Sequence, residues 1–239
     1  MAREPVILLP GLVCDRAVWE PQLAVLSMRR ECIVADYGAA DSIQAMAQRV
    51  LSSAPERFCV AGHSMGGRVA LEIMRDAPQR VARLALLDTG YQARPAGEAG
   101  EEEARGRHRL LEIANAHGMR AMGREWVQGM VHPRRLRDAP LIESILEMIE
   151  RKTVATFAAQ IRALLDRPSA ESLLAEIRCP TWVLCGREDA WSPLGRHQDM
   201  VRAIRDARLA IIEDCGHMST MERPADVSAA LEGWLDAGG

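Results

Sequence analysis

The sequence predicts an α/β fold in which a mostly parallel central sheet is flanked by helices and interrupted by an inserted helical cap. Two observations lead to this fold class. Short apolar runs alternate with helix-like segments over the first 90 residues and again near the end of the chain, and such alternation produces a parallel sheet covered on both faces. Between these regions the strand pattern is missing. With 239 residues, the chain fits one α/β domain that carries an insertion.

The first part of the chain is predicted to alternate between strands and helices. The strands are expected at residues 6–9, 32–35, 58–61 and 84–87, and the helices at 16–28, 42–53 and 65–77. Ser42 is suited to cap the second helix, because its side chain can accept a hydrogen bond from the first turn. Pro78 ends the third helix, since proline cannot continue it. The boundaries of these elements therefore have local causes.

Residues 91–168 are predicted to form the cap, because they contain helix-like runs with no convincing strand. The segment begins with a charged stretch at 94–103 that contains proline and glycine, a composition typical of loops. We expect the core to comprise residues 1–90 and 169–239. The Glu/Arg run at 101–109 is interpreted as a solvated helix face rather than a binding patch.

The strand pattern resumes after the cap. Strands are predicted at residues 179–186 and 207–212, with helices near 195–205 and 224–236. No internal repeat or low-complexity tract separates the two parts of the core in the sequence. We therefore expect the sheet to continue across the insertion and the chain to form one body.

The composition excludes several classes of protein. The chain is 48% hydrophobic and 26% charged with a net charge of −3, so it lacks the basic excess typical of nucleic-acid-binding proteins. Its first apolar run, which ends at Pro10, is too short for a signal peptide or a membrane span. We expect a cytoplasmic protein that binds neither nucleic acid nor a membrane.

The cysteines and histidines predict neither a disulfide framework nor a metal site. The 6 cysteines lie singly in apolar segments without a C-x-x-C pair, and the histidines are not clustered at metal-ligand spacing. We interpret most of the thiols as small buried hydrophobic groups. Cys14 and Cys215 fall beside the candidate site described next, and we assign them no catalytic role.

Ser64 is the candidate nucleophile. It lies at the centre of a G-x-S-x-G pentapeptide, residues 62–66, between a predicted strand and a predicted helix. A serine on such a tight turn is lifted out of the sheet, and the flanking glycines are needed because side chains there would collide with the neighbouring strand and helix. The pentapeptide alone is a weak signal. A serine hydroxyl also needs a base and a group that orients that base.

His217 and Asp189 are the candidates for the base and the orienting acid. Each follows a predicted strand, so both reach the carboxyl edge of the sheet, where Ser64 also lies. The carboxylate would hold the imidazole tautomer and stabilise the imidazolium. The sequence leaves two other acids open: Asp88 also ends a strand, and Glu188 is adjacent to Asp189 but should point elsewhere.

Two backbone N–H groups are candidates for an oxyanion hole. Met65 follows the nucleophile at the start of a helix, where the helix dipole favours negative charge. Leu12 lies on the first strand-to-helix loop and is placed to supply the second donor. The other histidines are interpreted as surface or packing residues: His63, His108, His117, His132 and His197. His63 is adjacent to the serine only in sequence, because neighbours on a sharp turn point in different directions.

Several short motifs along the chain match one known family. They occupy residues 9–12, 62–67, 177–180, 186–189, 216–217 and 222–224, together with Trp19. With them, nearly the whole chain resembles the α/β-hydrolase superfamily, particularly small bacterial esterase-like members with a helical cap. The resemblance implies the chain order Ser64, Asp189, His217 and hydrolysis without a cofactor. The chain departs from the pattern at Pro10, where many relatives carry histidine, and in the short loop at 36–42.

Together these observations predict a serine hydrolase that cleaves a small carboxylic ester through an acyl-enzyme. Trp126 and Met130 of the cap, with Trp191 and Met218, are expected to line the pocket, which suggests an apolar acyl or alkyl group. The same fold could instead hydrolyse a thioester, a lactone or a carbon–carbon bond, or host a lyase. A noncatalytic receptor is a further alternative. The expected partner is a small-molecule ester or a related acyl compound.

Overall fold

A six-stranded parallel sheet forms the centre of the computed structural model, which describes residues 4–237. The strands are β1 Val6–Leu9, β2 Cys32–Val34, β3 Phe58–His63, β4 Val81–Leu87, β5 Thr181–Gly186 and β6 Arg208–Ile212. Their order across the sheet is β2-β1-β3-β4-β5-β6, and every neighbouring pair is parallel. The predicted fold class is confirmed.

Helices cover the sheet and connect its strands. They are α1 Glu20–Leu26, α2 Ile43–Ser53, α3 Met65–Asp76, α4 Glu98–His117, α5 Met119–Trp126, α6 Ala139–Glu150, α7 Val154–Leu165, α8 Glu171–Leu174, α9 Leu194–Ala203, α10 Ser219–Glu222 and α11 Pro224–Asp236. α3 packs against β1, β3 and β4 and is backed by α2, while α11 packs against β4, β5 and β6 and is backed by α1. β1 and β3 are buried along their whole length, as expected for strands covered on both faces.

Several element boundaries differ from the prediction for local reasons. The predicted helix at 16–28 is a 3₁₀ turn, Arg16–Trp19, followed by α1. β4 begins earlier than predicted, because the charged Arg83 interrupts the apolar pattern at the start of the strand. The Arg83 guanidinium donates to the Trp234 carbonyl at 3.3 Å. β5 begins after Pro180, which has no N–H for the ladder. Ser42 does cap α2, since its side chain accepts from the Ala45 N–H at 3.1 Å.

The chain between β4 and β5 is helical in the described residues. It contains α4 to α8, with α4 packed against α5 and α7, and α5 packed against α6. We retain the division into a core, 1–90 and 169–239, and a cap, 91–168, as a proposal; residues 1–3 and 238–239 of that core lie outside the described residues. Within the described part of the chain, no helix combines the length and the apolar character that a membrane span requires.

The order of the strands determines where a ligand can bind. The chain passes from β1 to the edge strand β2 and then returns past β1 to β3, so the order reverses between β1 and β3. In open α/β sheets, ligands bind outside the carboxyl ends of the strands at such a reversal. The loops that follow β1 and β3 carry Leu12 and Ser64, respectively. The fold therefore places these two residues on either side of a natural crevice.

Candidate active site

Ser64 occupies a strained turn between β3 and α3. Its backbone has φ 55° and ψ −116°, a conformation that residues with a side chain rarely adopt. The turn is possible because the flanking positions are glycines: a Cβ at Gly62 would lie 2.3 Å from the Gly66 carbonyl oxygen, and one at Gly66 would lie 2.1 Å from the Leu9 carbonyl oxygen. The sequence pattern therefore has the steric cause expected of it.

The structure brings Ser64, His217 and Asp189 into one hydrogen-bonded line. The Nε2 atom of His217 lies 2.8 Å from Ser64 Oγ, and its Nδ1 atom lies 2.8 Å from Asp189 Oδ2. Asp189 follows β5 and His217 follows β6, so these side chains meet at the carboxyl edge of the sheet. Both separations are within hydrogen-bond reach for proton transfer and for orientation of the imidazole.

Asp189 is held as an ionised acceptor. Its Oδ1 atom accepts hydrogen bonds from the N–H groups of Trp191 and Ser192, each at 2.8 Å. Burial acts to raise the pKa of Asp189, but the charge and hydrogen bond of His217, with the Ser192 N–H, outweigh it and leave the pKa below its ordinary value. Burial acts to lower the pKa of His217, yet the Asp189 carboxylate raises it overall.

The two competing acids are placed elsewhere. Asp88 accepts a hydrogen bond from the Gly186 N–H at 2.9 Å and another from the Ser219 hydroxyl. Burial, followed by the charge of Asp189, raises the pKa of Asp88 to about 8, so this carboxyl is largely protonated near neutral pH and is poorly suited to orient a base. Glu188 accepts from the Cys215 N–H at 3.0 Å and braces the loop before the histidine.

Glu222 holds the loop that carries His217. Its carboxylate accepts hydrogen bonds from the N–H groups of His132 at 2.7 Å, Gly216 at 3.1 Å and Met218 at 3.1 Å. Burial raises the pKa of Glu222, although these N–H donors oppose the shift. Sequence reasoning gave this residue no role, and its only signal was its place in the motif at 222–224.

His63 supports the backbone of the candidate base. Its Nε2 atom lies 2.8 Å from the His217 carbonyl oxygen, so Nε2 carries the proton and donates. Burial, followed by the positive charge of His217, lowers the pKa of His63 to about 4, which keeps the ring neutral. Its ring also lies edge-on to Trp19, with 6.4 Å between the ring centroids. These contacts agree with a packing role for His63.

Leu12 and Met65 border the same cavity as Ser64. Met65 is the first residue of α3, where backbone N–H groups have no partner within the helix. The loop around Leu12 is steadied by two side chains that the sequence did not single out. Tyr37 donates its hydroxyl to the Pro10 carbonyl at 3.0 Å, and Gln160 accepts from the Val13 N–H at 2.8 Å.

A cavity of about 590 Å³ opens beside Ser64 and His217. Of the predicted lining residues, Trp126, Met130 and Trp191 border it. Met218 does not border it; its side chain is fully buried, and its backbone N–H donates to the Met130 carbonyl and to the Glu222 carboxylate. The side chain belongs to the hydrophobic core. Met218 is therefore the one predicted lining residue that the structure does not bring to this cavity.

The cavity is more polar than the sequence indicated. Five charged side chains border it: Arg68, Glu103, Arg107, Arg167 and Arg196. Glu103 and Arg107 belong to the run that was interpreted as a solvated face; they lie one helical turn apart on α4 and face inward, whereas Glu101, Glu102 and Arg105 are exposed. The apolar residues that the sequence suggested for the lining therefore make up only part of the cavity wall. In the sequence, the only sign that Glu103 and Arg107 share one face of α4 was their four-residue spacing.

Among residues 4–237, one set of potential metal ligands lies beside the candidate active site. Single ligand atoms of Asp88, Cys185 and Asp189 lie within 4.8 Å of one another. Burial, followed by the charges of the two carboxylates, raises the pKa of the Cys185 thiol, whereas metal binding requires the thiolate. Both carboxylates already accept hydrogen bonds from protein groups. This donor set is therefore poorly suited to hold a metal ion.

Comparison with known proteins gives concordant matches over almost the whole chain. The model of the alpha/beta hydrolase family matches residues 6–230. A pimeloyl-[acyl-carrier protein] methyl ester esterase of Aromatoleum aromaticum is 28% identical, covering 97% of this chain and 98% of that protein. A putative carbamate hydrolase, RutD, of Azorhizobium caulinodans is 27% identical over 98% of this chain and 91% of its own length.

Solved structures have the same architecture. A thermophilic esterase from Thermogutta terrifontis, with malate bound, superimposes with a TM-score of 0.85 at 28% identity, over 98% of this chain and 90% of that one. An enol-lactonase from Burkholderia xenovorans LB400 gives a TM-score of 0.84 at 20% identity, over 98% and 92% of the two chains. The second match concerns the fold alone.

Proposed function

The chain belongs to the alpha/beta hydrolase family, and on that premise we propose that it is a serine hydrolase that cleaves a small carboxylic ester through an acyl-enzyme. The observation that carries this proposal is the hydrogen-bonded line from Ser64 Oγ through His217 to Asp189 Oδ2. Relatives named methyl ester esterases support an ester substrate with a small alcohol part.

In the first half of the reaction, Ser64 attacks the ester carbonyl carbon. His217 Nε2 accepts the hydroxyl proton as the Ser64 Oγ–carbon bond forms, and Asp189 stabilises the resulting imidazolium. The N–H groups of Leu12 and Met65 would donate to the oxyanion, which they stabilise most because they are fixed in place before the reaction. The carbon–oxygen bond to the alcohol then breaks, and the imidazolium gives its proton to the leaving oxygen.

In the second half, water releases the acid. His217 accepts a proton from water as the water oxygen attacks the acyl carbon, and the bond to Ser64 Oγ breaks with return of the proton to Ser64. The Glu222 carboxylate and His63 would act as positioning residues, since both hold the backbone around His217. No cofactor is needed for these steps.

A carbamate is the second candidate substrate, because several curated relatives are named putative carbamate hydrolases. Its carbonyl would be attacked by the same serine, but its nitrogen makes the carbonyl less reactive than that of an ester. Thioester, lactone and carbon–carbon bond hydrolysis, a lyase reaction and ligand binding without turnover remain alternatives on the same fold. A substrate panel separates these reactions from simple ester hydrolysis.

The proposal is tested with p-nitrophenyl esters of increasing acyl length. Initial rates of p-nitrophenolate release are measured for the wild type, Ser64→Ala and Ser52→Ala. Ser52 lies exposed on α2 and does not border the cavity beside Ser64, so it serves as the matched control. We expect Ser64→Ala to lower kcat by about 10⁴-fold or more and Ser52→Ala to leave it unchanged. Equal rates in Ser64→Ala and wild type would contradict the mechanism.

A further inference from the structure

The charged side chains in the cavity wall are not used by the ester mechanism. We call Arg68, Arg107, Arg167 and Arg196 the arginine cluster; with Glu103 they border the cavity beside Ser64. From their arrangement we propose that Arg68 and Arg196 form a site for a carboxylate carried on the acyl part of the substrate. The substrate class is then a half-ester of a dicarboxylic acid. This inference rests on the proposed ester hydrolysis and specifies its substrate.

Glu103 is already committed to two members of the cluster. Arg167 binds it through two parallel contacts, Nη1 to Oε1 at 2.6 Å and Nη2 to Oε2 at 2.8 Å. Arg107 binds the same carboxylate, with Nε at 2.9 Å from Oε1. Burial acts to raise the pKa of Glu103, but these guanidinium groups lower it to about 2. The carboxylate is therefore ionised, and its charge is shared by Arg107 and Arg167.

Arg68 and Arg196 have no comparable partner. Within residues 4–237, neither has a carboxylate oxygen within the 4.0 Å of an ion pair. Arg68 donates to the Gln92 carbonyl at 2.8 Å, and Arg196 donates to the Trp191 carbonyl at 3.4 Å. A guanidinium has five N–H donors, so most of the donors on both side chains are left for a ligand.

Two other acidic side chains in the neighbourhood of Arg68 and Arg196 are engaged by other arginines. Glu72 borders a smaller adjoining pocket together with Arg68, but it pairs with Arg75 at 3.2 Å. Asp199 lies one turn beyond Arg196 on α9, and it pairs with Arg202. Within residues 4–237, Arg68 and Arg196 therefore border the cavity without an ion-pair partner of their own.

The two guanidinium groups converge on one position beside Gly90. A Cβ built on Gly90 would lie 2.9 Å from Arg68 Nη2 and 3.1 Å from Arg196 Nη1. These two nitrogens are therefore at most about 6 Å apart, and an anion placed between two like charges offsets their repulsion. A carboxylate accepts hydrogen bonds from guanidinium groups in a planar, two-point geometry. Glycine at position 90 keeps the space beside both groups free of a side chain.

The arrangement is electrostatically unfavourable without a ligand. Burial, followed by the charges of Arg167, Arg196 and Arg107, lowers the pKa of Arg68, and Glu103 only partly opposes this. Arginine nevertheless stays charged in proteins. Groups held in such unfavourable surroundings inside a cleft are typical of functional sites.

The site lies close to the candidate nucleophile. Ser64 precedes α3, and Arg68 lies one turn into that helix, which corresponds to a rise of roughly 6 Å along its axis. Thr89, which precedes Gly90, donates its hydroxyl to the Ser64 carbonyl at 2.6 Å. A short acyl chain could therefore join an ester carbonyl at Ser64 to a carboxylate at Arg68. Because a small alcohol part such as a methyl group has no room for a carboxylate, the carboxylate must belong to the acyl part of the substrate.

The test compares methyl half-esters with neutral methyl esters of the same chain length. Monomethyl succinate, glutarate, adipate and pimelate are paired with methyl butanoate, pentanoate, hexanoate and heptanoate, and acid release is followed by alkali titration at constant pH. We expect the wild type to favour the charged member of at least one pair. Arg68→Gln and Arg196→Gln should each lower kcat/KM for that half-ester, relative to the neutral ester, by about tenfold to a hundredfold.

Two further variants separate binding from a structural effect. Arg105→Gln, on the exposed face of α4, should leave the ratio unchanged. Arg68→Lys keeps the charge but not the two-point geometry and should restore part of the preference. Thermal unfolding is measured for every variant. If Arg68→Gln does not fold, Arg196→Gln decides the question, because Arg196 is half-buried and lies on a different helix, α9.

The outcomes distinguish failure of this inference from failure of the proposed function. Equal turnover of charged and neutral esters, unaffected by either variant, refutes the carboxylate site and leaves ester hydrolysis intact. If no ester is hydrolysed, the proposed function fails, and the site is then tested by thermal shift with adipate and with inorganic phosphate. Stabilisation by adipate that is lost in Arg68→Gln supports the site; stabilisation by phosphate alone, or by neither anion, refutes it.

Discussion

The substitution Asp189→Asn gives the sharpest test of how His217 is oriented. Asparagine has nearly the same shape as aspartate, so packing around the site is retained while the charge and one acceptor are lost. The N–H groups of Trp191 and Ser192 both donate to Asp189 Oδ1 at 2.8 Å. In the variant, the amide oxygen of the new side chain must occupy that position to keep these two hydrogen bonds, and its NH₂ group must then face His217 Nδ1.

This orientation removes the base. His217 Nδ1 now faces a donor and must accept, so the neutral ring carries its proton on Nε2, which lies 2.8 Å from Ser64 Oγ in the wild type. A protonated Nε2 cannot accept the serine proton. Loss of the correct tautomer in such a triad lowers kcat by about 10⁴-fold, which corresponds to about 5 kcal/mol in activation free energy.

The assay uses the most rapidly cleaved p-nitrophenyl ester under saturating conditions, with Asp88→Asn as the matched control. Asp88 is an equally buried acid at the end of the neighbouring strand. With asparagine at this position, an acceptor for the Gly186 N–H is kept and a donor toward Ser219 is gained, so kcat should change by less than about tenfold. Urea unfolding confirms that both variants fold.

Two results would refute this reasoning. If Asp189→Asn retains kcat within about tenfold of the wild type, the carboxylate does not control the tautomer of His217. If instead Asp88→Asn loses activity by several orders of magnitude while Asp189→Asn is silent, the orienting role belongs to Asp88. In that case the hydrogen bond between Asp189 and His217 would have only a packing role.

Two predictions concern pH. His217 must be neutral to accept a proton, and Asp189 raises its pKa. We therefore expect kcat/KM for a neutral ester to fall on the acid side with a midpoint above pH 6.5, the ordinary pKa of histidine. Initial rates measured from about pH 5 to 9 that give a midpoint below 6.5 would contradict this expectation. The raised pKa of Asp88, about 8 against 3.8 for the ordinary carboxyl, means that the folded state holds a proton that the unfolded state releases. Asp88 therefore makes its full contribution to the free energy of unfolding below about pH 4, and this contribution is lost as the pH rises to about 8. The free energy of unfolding, measured in urea at about pH 6, 7 and 8.5, should decline less steeply in Asp88→Asn than in the wild type, and parallel declines would argue against the shift.

The elements of the sheet could be predicted because their causes are local. The apolar runs at β1 and β3 identify buried strands without reference to the rest of the chain. The turn at Ser64 could be predicted for the same reason, since glycine at 62 leaves room for the start of α3 and glycine at 66 lets the turn approach β1 closely. Where local signals conflicted, the prediction was off by a few residues: Arg83 concealed the start of β4.

The approach of Asp189 and His217 could be inferred only from the logic of the sheet. In a parallel sheet all strands end at one edge, so residues that follow strands can meet even when they are far apart in sequence. That logic could not choose between Asp88 and Asp189, because both follow strands. Hydrogen bonds to Gly186 and Ser219 draw Asp88 away from the imidazole, and these long-range contacts have no sequence signature.

The sequence by itself determined the fold class, the alternation of strands and helices and the turn that presents Ser64, because these depend on periodicity and on sterics between near neighbours. Only the tertiary structure decided what the cavity wall is made of. Arg68, Arg107, Arg167 and Arg196 come from four separate segments of the chain, and Met218 turned inward although it follows the candidate base. Sequence periodicity identifies the polar face of a helix, but whether that face meets solvent or a cavity depends on which distant elements pack beside it.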